Sequence, residues 1–166
     1  SFIPPVQMRQ LRLVARQRQK LVGMCSAEKN RLHKVLVDAG LRLNVLVADI
    51  HGASARAMIS ALIAGQPMHE VLEHKGRLRA SRDQLFEALD TEQLSAVHRF
   101  VAGEIMQHIE QIEQRIARMD RYLLQGLQAW QPQLRLLQTI PGIDEPGAAM
   151  LLVEIGADMS AFGSAE

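Results

Sequence analysis

Between Asp90 and Pro132 the chain carries no proline, a run of about 40 residues that would reach roughly 60 Å as a helix. Within it Ile105, Ile109, Ile112, Ile116, Met119 and Leu123 recur at alternating spacings of four and three. That is the 3.5-residue period of a coiled-coil seam, an apolar stripe that another helix has to cover. Glu104, Glu110, Glu113, Arg115, Arg118, Asp120 and Arg121 take the other faces. Two partners satisfy such a seam: the same helix of a second protomer, which makes the six residues an oligomerisation surface, or an antiparallel helix of the same chain. Asp90 and Thr91 are placed to cap the start of the run, and Gly126 interrupts it.

The remaining sequence is also helical in pattern. Pro4 and Pro5 suit the first turn of a helix, where a missing amide costs nothing. From Val6 to Ala39 the residues Leu11, Val14, Leu21, Met24 or Cys25, Leu32, Val35 or Leu36, and Ala39 follow a helical spacing. Gly40 stands at the left-handed C-cap, and Gly23 with Ser26 leaves one long helix or two collinear ones open. The β-branched stretch Leu41–Asp49 has no partner strand and reads as a connector or a distorted helix. Ser54 suits the N-cap of a helix through Ala64, ended by Gly65 and Pro67, and short helices are expected at about 67–75 and 79–89 around Gly76. Aromatic residues at 4% and eight methionines agree with an all-α chain.

The formal net charge of +1 conceals an asymmetry: residues 1–42 carry nine Lys or Arg against Glu28 and Asp38, whereas the remainder carries ten basic and sixteen acidic residues. Arg9, Arg12 and Arg16 lie on one face of the first helix, and Lys20 continues the row. Such a row either tracks a phosphate backbone or is the solvated face of an amphipathic helix. No apolar run approaches the length that spans a bilayer. The single Cys25 excludes an internal disulfide and reads as core, with a cytoplasmic location as the default. None of the six histidines forms an i, i+4 pair, so no metal site is expected and the imidazoles are assigned to exposed polar positions. No Ser/His/Asp or Cys/His arrangement is visible along the sequence, and no catalytic residue is assigned.

Pro132 opens a short apolar helix containing Leu134, Leu136 and Leu137, and Pro141-Gly142-Ile143 then forms a tight turn. Asp144 is placed to cap the following helix, with Glu145 and Pro146 in its first turn and Gly156 at its end. This is a helix-hairpin-helix pattern, in which Gly142, Ile143 and Gly147 would offer backbone amides to a phosphate. A plain αα-hairpin has the same pattern. The carboxylate of Asp144 stands where an uncharged residue would serve phosphate better.

The segments SFIPPVQMRQLRLVARQRQKLV, EKNRLHKVL, DIHGASARAMISALIAGQ and LQTIPGIDEPGAAMLLVEIGADMSAF, in that order, resemble the middle of a DEDD-type insertion-sequence transposase, a family related to the pilin-type DNA invertases. The most specific blocks are Pro141-Gly142-Ile143 with Ala148, and Asp49 with Gly52 and Ser54. The resemblance implies a RuvC-like nuclease domain using Mg2+ before SFIPP, a coiled-coil linker, and a transposase domain whose serine nucleophile follows the hairpin. It therefore implies that neither half of the active site lies in this chain; Ser160 and Ser164 precede the serine's position, and Asp49 is not a metal ligand. Both ends are expected to be internal to a longer protein. DNA, and in some members an element-encoded guide RNA, are the implied partners, in the bacterial cytoplasm at the nucleoid.

The expected architecture is an all-α, elongated helical bundle. Residues 1–40 form a basic helix from the end of the RuvC-like domain, and residues 41–90 a linker of short helices. Residues 91–131 form the long coiled-coil helix, and residues 132–166 begin the transposase domain. A non-catalytic helical scaffold or regulatory module is the alternative.

Overall fold

The computed structural model describes residues 6–156, and among these every regular element is helical. Pro4 and Pro5, at the expected helix start, and Ser160 and Ser164 lie outside the described residues. The first helix, α1 (Val6–Asp38), is one continuous helix of 33 residues, so Gly23 and Ser26 do not divide it. It ends as the sequence suggests: Gly40, at φ +79, is flanked by the bond pair Gly40 N–H to Val37 O and Leu41 N–H to Leu36 O. These are the two bonds of a Schellman cap. The stretch after it contains a single helical turn, α2 (Leu43–Leu46), followed by extended Val47.

Four further helices lead into the last hairpin's approach. They are α3 (Ala53–Ile63), α4 (Met68–Glu73), α5 (Arg82–Leu89) and the 31-residue α6 (Ala96–Gly126). Two caps differ from expectation. Gly52, not Ser54, is the N-cap of α3. The long helix starts at Ala96 rather than beside Asp90 and Thr91, because Ser95 caps it through a hydrogen bond from the His98 amide (3.2 Å). Thr91 is used elsewhere: its hydroxyl donates to the carbonyl of Ala39 (3.2 Å) and accepts from the Gln93 amide (3.2 Å), fastening the residues before α6 to the end of α1. A 3₁₀ turn (Gln128–Trp130) then leads into α7 (Gln131–Gln138) and α8 (Glu145–Ile155).

The helices pack into two compact units, one of them assembled from two separate stretches of the sequence. Among the described residues one comprises 6–24 together with 112–156, and the other comprises 25–111. In the first unit Met8, Leu11 and Ala15 of α1, Leu123 and Leu127, Leu134 and Leu137 of α7, and Ala148, Ala149, Leu152 and Val153 of α8 form one buried apolar cluster. Gly126 lies against Leu11: a Cβ built there would come within 2.9 Å of both its methyl carbons. In the second unit Met106 and Ile109 of α6 share a small pocket with Leu32 of α1 and Ile59 of α3.

The seam of the long helix is thus covered from within the chain. Ile109, Ile112 and Leu123 are buried, and Ile105, Ile116 and Met119 are half-buried. Of the two partners the 3.5-residue period allows, an antiparallel helix of the same chain is the one found in each unit. In the second unit Asp38 faces His98 and Glu28 faces His108, and in the first Arg18 faces Asp120. Larger numbers on one helix meet smaller ones on the other in both cases.

Candidate nucleic-acid interface

The basic row of α1 divides into residues that the fold uses and residues that it leaves open. Arg12 belongs to the first group. Its Nε donates to the carbonyl of Val153 (2.8 Å) and its Nη2 to that of Glu154 (3.0 Å), in the last turn of α8. Carbonyls there have no partner further along the helix, and the negative end of the helix dipole favours a cation. The forked guanidinium suits two neighbouring oxygens. Arg12 is therefore engaged by the fold as a cap on the last turn of α8. Arg18, on another face, pairs with Asp120 in a part-buried contact.

Arg9, Arg16 and Lys20 are exposed, and none makes a hydrogen bond or ion pair with a described residue. At 100° per residue they fall within about 40° of one another around the helix, spaced along it by roughly 10 and 6 Å. Gln17 and Gln19 beside them are exposed as well. The result is a row of three open cations without a carboxylate partner.

The hairpin forms where the sequence places it. Pro141 and Gly142 occupy the centre of a turn closed by Ile143 N–H to Ile140 O (3.2 Å), with Gly142 at φ +84. Only a residue free of Cβ enters that region without strain, and Pro followed by Gly is the sequence of a type II turn. Gly142 is exposed and its surroundings are open, whereas Ile143 packs against the buried cluster. Asp144 caps α8 as expected, its Oδ1 accepting from the Gly147 amide at 2.8 Å. Two of the three amides assigned to phosphate, those of Ile143 and Gly147, are thus satisfied inside the hairpin. The chain's own carboxylate stands where the anion would bind.

Two constellations were not legible along the sequence. Ser95, His98 and Asp38 come together although none was singled out. The Ser95 hydroxyl lies 2.8 Å from His98 Nδ1, and His98 Nε2 lies 2.8 Å from Asp38 Oδ2. The Ser95 amide also approaches Nδ1 (3.3 Å), so this nitrogen is the acceptor and Nε2 carries the proton donated to Asp38. The order of contacts is that of a Ser–His–Asp relay. Its role here is capping: the same Ser95 oxygen accepts the His98 amide at the start of α6, and the imidazole ties α6 to α1.

Ten residues away on each helix, Glu28 is 6% exposed and accepts from Arg31 and from His108 Nδ1 (3.1 Å). Burial pushes its carboxyl pKa up, but the hydrogen bonds from His108 and Arg31 and their positive charge outweigh burial, and the net shift is downward. His98 and His108 are therefore inter-helix ties and not merely exposed polar residues. Burial is also the main cause that holds the His51 imidazole below its ordinary range, aided by the positive charge of Lys29, Arg56 and His33 against the opposing pull of Asp49.

Among the described residues no three His, Cys, Asp or Glu side chains gather as a metal site, and no helix is long and apolar enough to cross a membrane. Comparison with protein-family models, with curated proteins and with solved structures yields no match.

Proposed function

We propose that this chain is the nucleic-acid-contacting and assembly segment of a DNA transposase of the DEDD insertion-sequence type. Its contact is the row Arg9, Arg16 and Lys20 on α1. The observation that carries the contact is that these three cations are exposed on one face and unpaired among the described residues, while Arg12 and Arg18 are engaged in the fold. Unpaired cations on one helix face can each replace a condensed counterion on a phosphate strand. The transposase identity rests on the sequence blocks around Asp49, Gly52 and Ser54 and around Pro141-Gly142-Ile143. Mg2+ and strand cleavage and joining belong, in this reading, to domains outside the chain, and a guide RNA is an alternative occupant of the same row. Assembly of protomers along α6 belongs to the same reading, carried by surface that internal packing leaves open: Val97 at 71% and Phe100 at 68% exposure near its start, and half-buried Ile105, Ile116 and Met119 further along.

The test is the affinity of the chain for a 30-base-pair DNA duplex and for a hairpin RNA, measured against salt. Arg9→Ala with Arg16→Ala is expected to lower the log–log slope by about 1.8 for duplex DNA. An unchanged slope on both probes makes the row a solvated face. For assembly, the mass in solution is compared with that of Phe100→Asp; an identical mass removes α6 as a protomer contact. The full reading frame tests identity, since acidic residues of the RuvC type upstream and a serine downstream are both required.

A non-catalytic helical scaffold is the second reading, favoured by the capping of α8 by Asp144. A hairpin whose N-terminal amide already holds a carboxylate needs no phosphate to be complete.

A further inference from the structure

The connection between α4 and α5, together with the first residue of α5, carries Lys75, Arg77, Arg79 and Arg82, four cations in eight residues without a carboxylate. We propose that this loop is a second contact for a nucleic-acid phosphodiester backbone, made by Arg77, Arg79 and Arg82 and separate from the row on α1. The proposal rests on the nucleic-acid reading above for its class of partner, but on a different set of residues in the other compact unit.

Three observations carry it. First, the loop is held in shape by residues other than the three arginines. Lys75 Nζ donates to the carbonyl of Leu78 (2.6 Å), and the Leu78 amide returns a bond to the Lys75 carbonyl (3.2 Å). Gly76, at φ +55, sits so close to α3 that a Cβ there would meet Ser54 Oγ at 2.8 Å. Leu78 is half-buried and Ala80 buried, and Ser81 with Gln84 forms a reciprocal capping box on α5. The arginines are thus presented from a fixed frame, alternating with side chains that point inward.

Second, the three guanidinium groups are exposed and have no hydrogen bond or ion pair with a described residue, although Glu73, Asp83 and Glu87 stand within a few residues. Arginines left unpaired among available carboxylates keep their whole donor fork for an outside acceptor, and that fork matches phosphate oxygens.

Third, the charges sit where local stability disfavours them. Arg82 is the first residue of α5 and Arg79 lies two residues before its cap, Ser81, near the positive end of the helix dipole. A local rule broken without a compensating contact in the fold points to a site that serves something else. A protein carboxylate would also answer positive charge, but the same loop refuses the acidic side chains beside it. A polyanion with many evenly placed charges is the partner this geometry favours.

The test uses the whole 166-residue chain with Arg77→Ala, Arg79→Ala and Arg82→Ala combined, and with Arg77→Lys, Arg79→Lys and Arg82→Lys as the charge-preserving variant. Far-UV circular dichroism checks that the helices remain. Fluorescence anisotropy follows a 30-base-pair duplex and a hairpin RNA across salt, with polyglutamate as the competing polyanion. The alanine variant is expected to lower the slope of log K against log salt by about 2 to 3, and affinity at low salt at least tenfold, on one or both nucleic acids. The lysine variant is expected to keep most of the slope. An unchanged slope and affinity in the alanine variant overturns the proposal, as does polyglutamate displacing duplex and RNA as well as unlabelled nucleic acid does. Arg9→Ala with Arg16→Ala separates the two sites: loss there with no loss in the loop variant overturns the loop and leaves the α1 row. Loss in the loop variant alone retires the row and leaves the loop.

Discussion

The same pair of long helices is fastened differently in the two compact units. In the first, α1 meets α6 and the hairpin through a dry apolar cluster of eleven buried residues, with Arg18–Asp120 and the Arg12 cap at its margin. In the second, α1 meets α6 through carboxylates and imidazoles, Glu28 with His108 and Asp38 with His98. Arginine keeps its charge at any pH a protein tolerates, whereas imidazole and carboxylate groups titrate. The difference teaches that an antiparallel helix pair does not impose one chemistry along its length.

The largest expected effect separates the units by their cores. Leu152→Ala removes a side chain that is fully buried in the first unit and is expected to cost about 2–5 kcal/mol. Hydrogen exchange should show lost protection in α7 and α8 while Leu85 and Leu89 of α5 keep theirs. Equal loss in both units would dissolve the comparison into a single cooperative block.

Next in size is the carboxylate tie. Glu28→Ala deprives His108 and Arg31 of their acceptor and should cost about 1–3 kcal/mol at pH 7, read from urea unfolding. Its pH dependence sharpens the contrast. The folded pKa of Glu28 is lowered from 4.5, so its contribution is present above that value and disappears as pH falls through the folded pKa. The pKa of His51 is also lowered, from 6.5, so the unfolded chain takes up its proton first and stability falls as pH drops through that window. Wild-type protein should therefore lose stability in two stages below pH 6.5, and Glu28→Ala should abolish the more acidic stage alone. A profile unchanged by the substitution would remove Glu28 as its source.

A smaller effect tests whether α1's basic row is correctly divided. Arg12→Met is expected to cost about 1 kcal/mol, through loss of the two carbonyl caps on α8, with the salt slope of DNA binding unchanged. Arg16→Ala should do the reverse, leaving stability within about 0.5 kcal/mol and lowering the slope by about 0.9. Equal behaviour of the two would return Arg12 to the binding face.

The smallest change is Asp144→Asn, which keeps an oxygen for the Gly147 amide but removes the charge. It should cost about 0.3–1 kcal/mol at most. If the hairpin meets phosphate, the same variant gains affinity for duplex DNA; no gain leaves the hairpin a packing element.

Much of the helical order was legible from residues alone. The period of Ile105 to Leu123 announced α6, the Pro-Gly step announced the turn before α8, and Asp144 announced its cap, because each rests on contacts within a few residues. The start of α6 was misplaced for a related reason. Thr91 and Ser95 are both competent caps, and Thr91 is drawn away by the carbonyl of Ala39, 52 positions distant. The loop arginines escaped notice because Arg79 and Arg82 read as part of a helix over 79–89, while the folded chain keeps α5 to Arg82–Leu89.

What the sequence determined by itself is therefore an all-α chain with one long heptad-patterned helix and a capped C-terminal hairpin; that the first helix runs unbroken was decided by the fold. Local propensity, period and capping are short-range, and they leave few alternatives. Only the tertiary structure decided which charges remain open. Arg12 reaches a carbonyl 141 positions away and Arg18 a carboxylate 102 positions away, while Arg9, Arg16 and Lys20 on the same helix meet nothing among the described residues. A cation's availability depends on what the fold brings within a few ångströms of it, and no spacing along the chain encodes that distance.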